Sequence, residues 1–126
     1  MINSAELRIS NFVWDDYSGW MIVTELRKES LYMRHPAHSV DGCFNYDKIE
    51  PIPLTPEILV EKCGFVWEVY YQGYHFDKYI IREDNDGFRI LSSVNRTYQI
   101  RGNIKYLHQL QNLYFALTGQ ELEVFL

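Results

Sequence analysis

The sequence predicts an α+β fold made mainly of antiparallel strands, with a short central helix and a longer C-terminal helix packed on the sheet. Three observations carry this. Aromatic residues make up 16% of the 126-residue chain, with ten Tyr, seven Phe and three Trp, and such residues favour half-buried pleated surfaces. Strand-like runs recur between Gly- and Asp-containing turns. Only two stretches carry helix start and stop signals.

Taken in order, "ELRISNFVW" (Glu6–Trp14) is rich in β-branched and aromatic residues and reads as a strand. "DDYSG" (Asp15–Gly19) reads as a turn, and "WMIVTELRK" (Trp20–Lys28) as a second strand. "SLYMR" (Ser30–Arg34) is a third. "HPAHSVDG" (His35–Gly42) is a loop by its Pro, Asp and Gly. "CFNYDKIEPIPL" (Cys43–Leu54) alternates until Pro51 and Pro53 end any ladder, because proline donates no hydrogen bond. Short strands with a Gly-containing turn in this half fit an SH3-like small barrel. Such barrels bind peptides or nucleic acid through surface aromatics, here Trp14, Tyr17 and Trp20.

"TPEILVEKCG" (Thr55–Gly64) is the short helix. Thr55 caps it, Pro56 suits its first position, Glu57 suits its positive end and Gly64 closes it. Ile58, Leu59 and Cys63 share one face. "FVWEVYY" (Phe65–Tyr71), the turn Gln72-Gly73 and "YHFDKYIIRE" (Tyr74–Glu83) form a hairpin. "DNDG" (Asp84–Gly87) turns into "FRILSS" (Phe88–Ser93), and "TYQI" (Thr97–Ile100) completes a meander that Arg101-Gly102 breaks.

The last helix is capped by Asn103 and stopped by Gly119. At 100° per residue, Leu107, Leu110, Tyr114 and Leu117 fall on one stripe, with Tyr106 and Leu113 beside it. Ile104, His108, Gln111 and Phe115 form a second flank. The apolar arc is about twice the ~100° of a one-sided surface helix. This second flank is therefore covered by more protein or presented to a partner. "QELEVFL" alternates after Gly119 and reads as a final strand.

The chain is treated as one α+β domain over 1–126. A β-rich half (1–54) meets a half of helix, meander and C-terminal helix (55–126) at the Pro51–Pro56 segment. Each half is too small to bury much alone.

Formal net charge is −5, which disfavours direct nucleic-acid binding and favours a basic protein surface as partner. Cys43 and Cys63 form no CxxC pair or zinc ladder and read as free thiols. The start has no basic and apolar leader, and no apolar run reaches membrane-spanning length, so a cytoplasmic protein is expected. The sequon Asn95-Arg96-Thr97 then carries no meaning.

Candidate chemistry is sparse. His35 and His38, with Asp41 and Cys43, are metal-ligand types, but they share one Pro-containing loop and lack a second cluster. Asp84-Asn85-Asp86-Gly87 resembles the start of a calcium loop, but its twelfth position is Asn95 rather than Glu. His108 with Gln111 lacks any accompanying nucleophile motif or phosphate loop. No catalytic residue, metal or cofactor is therefore assigned, and no enzyme is expected. The expected partner-binding residues are the large aromatics and their neighbour on the helix: Trp14, Tyr17, Trp20, Tyr71, Tyr74, His108 and Phe115.

Two stretches carry a resemblance. "IEPIPLTPEILVEKCGF" (Ile49–Phe65) and "IKYLHQLQNLYFALTGQELEV" (Ile104–Val124) resemble the I-x-P-I-P-L-T-x-E-I-L and H-x-L-Q-N-L-Y-F-x-L-T-G-x-E-L segments of a group of small uncharacterised phage and prophage proteins of bacteria. They cover under a third of the chain. The resemblance implies a mobile-element setting in the cytoplasm of a bacterial host, not an activity. Small acidic proteins in that setting often act stoichiometrically on host proteins, and inhibition of bacterial defence by anti-CRISPR proteins is one form. The expected function is thus non-enzymatic binding of a host protein, such as a CRISPR effector with a basic surface. The alternative is a small-barrel nucleic-acid-binding or structural phage protein.

Overall fold

A computed structural model describes residues 2–38, 41–94 and 99–126. Its α+β composition is as the sequence predicts: two antiparallel sheets and one C-terminal α-helix. The chain divides into two compact units, Met1–Pro53 with Tyr106–Leu122, and Leu54–Lys105 with Glu123–Leu126.

The first unit begins with a 3-10 turn, Ser4–Glu6, in which the Asn3 side chain accepts the Ala5 N–H at 3.0 Å. The expected strand from Glu6 starts only at Phe12. Residues 8–11 turn instead: Asn11 Oδ1 accepts the Arg8 N–H at 2.8 Å, and Ser10 has φ +81°. Asn side chains compete with a ladder in this way. Strand β1 (Phe12–Asp15) pairs with β2 (Gly19–Leu26), Trp14 opposite Trp20. The predicted turn between them is set by Asp15, whose Oδ2 accepts the N–H groups of Tyr17 and Ser18 at 3.2 and 3.0 Å. Gly19 closes it with φ +76°, a value that costs glycine little.

Strands β3 (Ser30–Arg34) and β4 (Gly42–Asn45) extend the sheet. A 3-10 turn, Tyr46–Lys48, then leads into the short β5 (Ile49–Glu50), which returns to pair with β1. The order is β4-β3-β2-β1-β5, the strand order of an SH3-like small barrel. The strands alternate as a one-sided sheet should. Val13, Met21, Val23, Leu31, Met33 and Ile49 are buried together with Ile2 and Leu7.

The helix α1 (Leu107–Thr118) belongs to this unit and not with the meander that precedes it. The Leu107 N–H donates to the Ile52 carbonyl at 2.9 Å, and Gly119, at φ +75°, donates to the Phe115 carbonyl. The helix starts three residues later than its Asn103 signal implies, with its cap at Tyr106. Asn103 has φ +56° within a strand, and Ile104 is buried opposite Phe88. Burial of a large aliphatic side chain outweighs a cap.

In the second unit, Thr55 Oγ1 accepts the Ile58 N–H at 3.2 Å, as a helix start requires. The helix widens to π geometry over Ile58–Lys62, with the Cys63 N–H donating to the Ile58 carbonyl. Leu59 and Cys63 are buried and Ile58 half-buried, as their shared face predicts. Gly64 closes it at φ +72°.

A five-strand meander follows: β6 (Val66–Glu68), β7 (Gly73–Phe76), β8 (Tyr79–Asp84), β9 (Gly87–Ser92) and β10 (Gln99–Ile104). Its order is β10-β9-β8-β7-β6. The stretch Tyr74–Glu83 is two strands rather than one, because Asp77, at φ +49°, makes a turn with Lys78. Arg101-Gly102 does not break the meander. The ladder passes through them with register shifts and ends at Ile104. Phe65 and Phe76 stack at 4.7 Å, and Phe88, Ile90 and Ile104 are buried. Gln120–Leu126 forms no strand; Leu122 is buried and the Phe125 N–H donates to the Lys62 carbonyl. Thr97 and Tyr98 of the expected last strand, the sequon at 95–97, and Ser39 and Val40 of the histidine loop lie outside the described residues.

Candidate functional site

Helix α1 carries a polar cluster on the flank that the sequence left open. Gln111 is buried and fully engaged: its Oε1 accepts the Phe12 N–H at 2.8 Å and its Nε2 donates to the Ser10 carbonyl at 3.1 Å. One residue on, Asn112 accepts from Asn11 Nδ2 at 2.8 Å and Arg8 Nε at 3.2 Å, and donates to the Glu6 carbonyl at 2.7 Å. Arg8 also holds the Glu121 carboxylate with two nitrogens, and its guanidinium lies 4.5 Å from the centre of the Phe115 ring. These groups tie the helix to residues 6–12. They face each other and spend their hydrogen bonds there.

His108 sits beside them with no exposed surface. Its Nε2 is 3.4 Å from a Glu6 carboxylate oxygen, its ring stacks on Tyr106 at 5.9 Å, and its Nδ1 has no partner among the described residues. Burial pushes its pKa below the ordinary value, and Glu6 opposes that shift. A side chain with no exposed surface cannot meet a partner, so the expected partner role of His108 is corrected: it is a core histidine. Phe115 is 40% exposed, but part of its face is the platform for Arg8. The flank on the helix is therefore divided between buried His108 and Gln111 and a half-covered Phe115, while Ile104, the fourth residue expected on it, lies in β10 instead.

The remaining predicted aromatics lie in two places. Trp14, Tyr17 and Trp20 gather at the β1–β2 turn. Tyr17 is 100% exposed and Trp14 38% exposed, while Trp20 is half-buried with its ring edge-on to Phe12 at 6.0 Å. Beside this turn is an open cleft of about 440 Å³ lined by Asp15, Asp16, Tyr17, Ser18, Phe44 and Lys48. Its lining includes two aromatic rings, two carboxylates and one lysine. A second cleft of about 380 Å³ meets Phe44 from Met21, Met33, His35, His38, Asp41 and Gly42. There the two imidazoles lie edge-to-face at 5.0 Å, and His35 Nδ1 accepts the Ala37 N–H. No three His, Cys, Asp or Glu side chains among the described residues gather at metal-binding spacing.

Protein-family models, curated proteins and solved structures were compared with the chain, and none matches.

Tyr71 and Tyr74 lie in the other unit, both half-buried. Tyr71 stacks on His75 at 5.6 Å, and its carbonyl accepts from Arg82 Nη2. The more exposed residues are their neighbours Val66, Trp67, Val69 and Tyr70, which sequence reasoning did not single out. Apart from Glu68 that stretch is apolar throughout, which reads as a buried strand, and composition cannot reveal that β6 is the edge of its sheet. Among the described residues, no helix is long and apolar enough to cross a membrane.

Proposed function

We propose that the protein is a non-catalytic binding protein that docks on a basic surface of a bacterial host protein. The observation that carries this is Tyr17. A whole phenol stands in solvent on a turn pinned by Asp15, beside an open cleft whose other groups include Asp16 and Phe44. An exposed aromatic on a turn whose backbone is held by hydrogen bonds, next to carboxylates, suits an interface anchor that meets Lys or Arg. The formal charge of −5 supports steering toward such a surface. The resemblance to phage and prophage proteins supports a mobile-element setting in the host cytoplasm. Inhibition of a defence protein such as a CRISPR effector is the specific form of this proposal.

The test is co-purification of the tagged protein from its bacterial host. A stoichiometric partner should be retained at low salt and released as salt rises. With the partner purified, Tyr17→Ala should weaken binding about tenfold or more without changing the thermal midpoint. Recovery of no partner at low salt, or equal binding by Tyr17→Ala, would overturn the proposal. The strand order of the first unit favours one alternative, a small-barrel nucleic-acid-binding or structural phage protein. A gel shift on generic RNA or DNA that weakens steeply with salt would put that reading first.

A further inference from the structure

Strand β6 is an unusual edge. Among the described residues it pairs with β7 alone, and Val66, Trp67 and Glu68 are all exposed, where a strand with one face on a core would alternate. The exposed apolar run continues through Val69 and Tyr70. Edge strands are ordinarily protected by Pro, Lys or a bulge. Here the register with β7 is unbroken, and the only charge on the strand is Glu68.

The edge is also held in place. Gly73, opposite Glu68, has no room for a side chain: a Cβ there would lie 2.7 Å from Ile80 Cγ2 and 2.9 Å from the Ile81 carbonyl oxygen. Arg82 ties down the Tyr71 carbonyl in the turn that follows β6. A pre-ordered edge loses little entropy when another strand joins it.

Its chemistry selects among strands. Trp67 and Tyr74 are directly opposite across β6 and β7, with rings edge-to-face at 5.1 Å, and Trp67 is 48% exposed. Burial and then the negative fields of Glu83 and Glu57 hold the Tyr74 phenol in its protonated form. The Trp67 and Tyr74 rings in contact, with Glu83 and Glu57 acting on Tyr74 and Glu68 beside Trp67 on the strand, favour an ammonium or guanidinium. A second copy of this chain is a poor occupant, since its own β6 carries no basic side chain and its only charge is Glu68.

We propose that the outer edge of β6 accepts an extended, basic segment of the partner protein as an added strand, with one of its Arg or Lys side chains held at Trp67 and Tyr74. This rests on the protein-binding reading above and names a second contact for it. Backbone pairing supplies the affinity, and the aromatic–acidic corner supplies the choice of side chain.

The test uses the ¹⁵N-labelled protein and a capped hexapeptide of alternating Arg and Val. Two control peptides accompany it: a Glu–Val analogue, and an Arg–Val analogue N-methylated so that it cannot pair as a strand. The Arg–Val peptide should shift the amides of Val66–Glu68 and the Trp67 indole N–H, and added salt should reverse the shifts. The Glu–Val peptide should shift neither, and the N-methylated one should lose the amide shifts. Trp67→Ala should bind about tenfold more weakly with an otherwise unchanged spectrum. Unmoved β6 amides, equal shifts with the Glu–Val peptide, or undiminished binding by Trp67→Ala would overturn the site. Shifts confined to the Tyr17 turn would overturn it while leaving the binding reading intact. β6 shifts that grow with protein concentration in the absence of peptide would assign the edge to a second copy instead.

Discussion

The side-chain amide of Gln111 substitutes for a strand neighbour of Phe12. Strand β5 reaches only Trp14 and Asp15, so it supplies no partner for the Phe12 N–H, which donates to Gln111 Oε1 at 2.8 Å. The same amide satisfies the Ser10 carbonyl. Gln111→Leu keeps the approximate volume and strands both backbone groups. Each buried group left without a partner costs about 1–3 kcal/mol. The urea midpoint should fall by that order with an unchanged slope.

His108 makes stability depend on pH in a defined direction. Its folded pKa lies below the ordinary 6.5, chiefly through burial. The unfolded chain then takes up a proton that the folded chain does not. Stability is complete above about 6.5, falls as pH drops below it, and levels off below the folded value. His108→Gln should flatten that slope in denaturant titrations across the mildly acidic range. A wild-type protein that gains stability on mild acidification would mean that Glu6 dominates instead.

The two thiols should react differently. Cys43 is exposed, whereas Cys63 is buried and its pKa is pushed up to about 12. The thiolate is the nucleophile, so a disulfide reagent at neutral pH should modify one thiol in the native protein and both in denaturant. Cys43→Ser should abolish the native reaction and Cys63→Ser should not.

Leu110 and Phe115 separate core from surface on the same helix. Leu110 is fully buried, and Leu110→Ala should cost about 2–5 kcal/mol. Phe115→Ala loses an exposed ring and its contact with Arg8, worth about 0.5–1 kcal/mol. Thermal and urea midpoints of the two variants should rank accordingly.

Much of the architecture is legible in the residues themselves. Asp15 and Gly19 mark their turn, Thr55 and Gly64 bound their helix, Gly119 ends α1, and Leu31 with Met33 shows its buried face by alternation. All of these are local effects, in which a side chain acts within a few residues of itself. Two missed boundaries are also local, the turn that Asn11 makes with Arg8 and the one at Asp77, but at the start of α1 a distant partner outbids the local signal. Ile104 pairs with Phe88, so Asn103 lies in a strand and not at a cap.

For the candidate sites, the sequence by itself determined which large aromatics exist, the acidic balance, and an apolar arc on α1 too wide for one face. Only the tertiary structure decided what that arc meets. It buries His108 and Gln111 against residues about a hundred positions earlier in the chain, leaves Tyr17 in solvent, and makes β6 an edge. The physical reason is that exposure depends on what lies across space. Periodicity states which side chains share a face, but the burial of that face depends on the groups that pack against it.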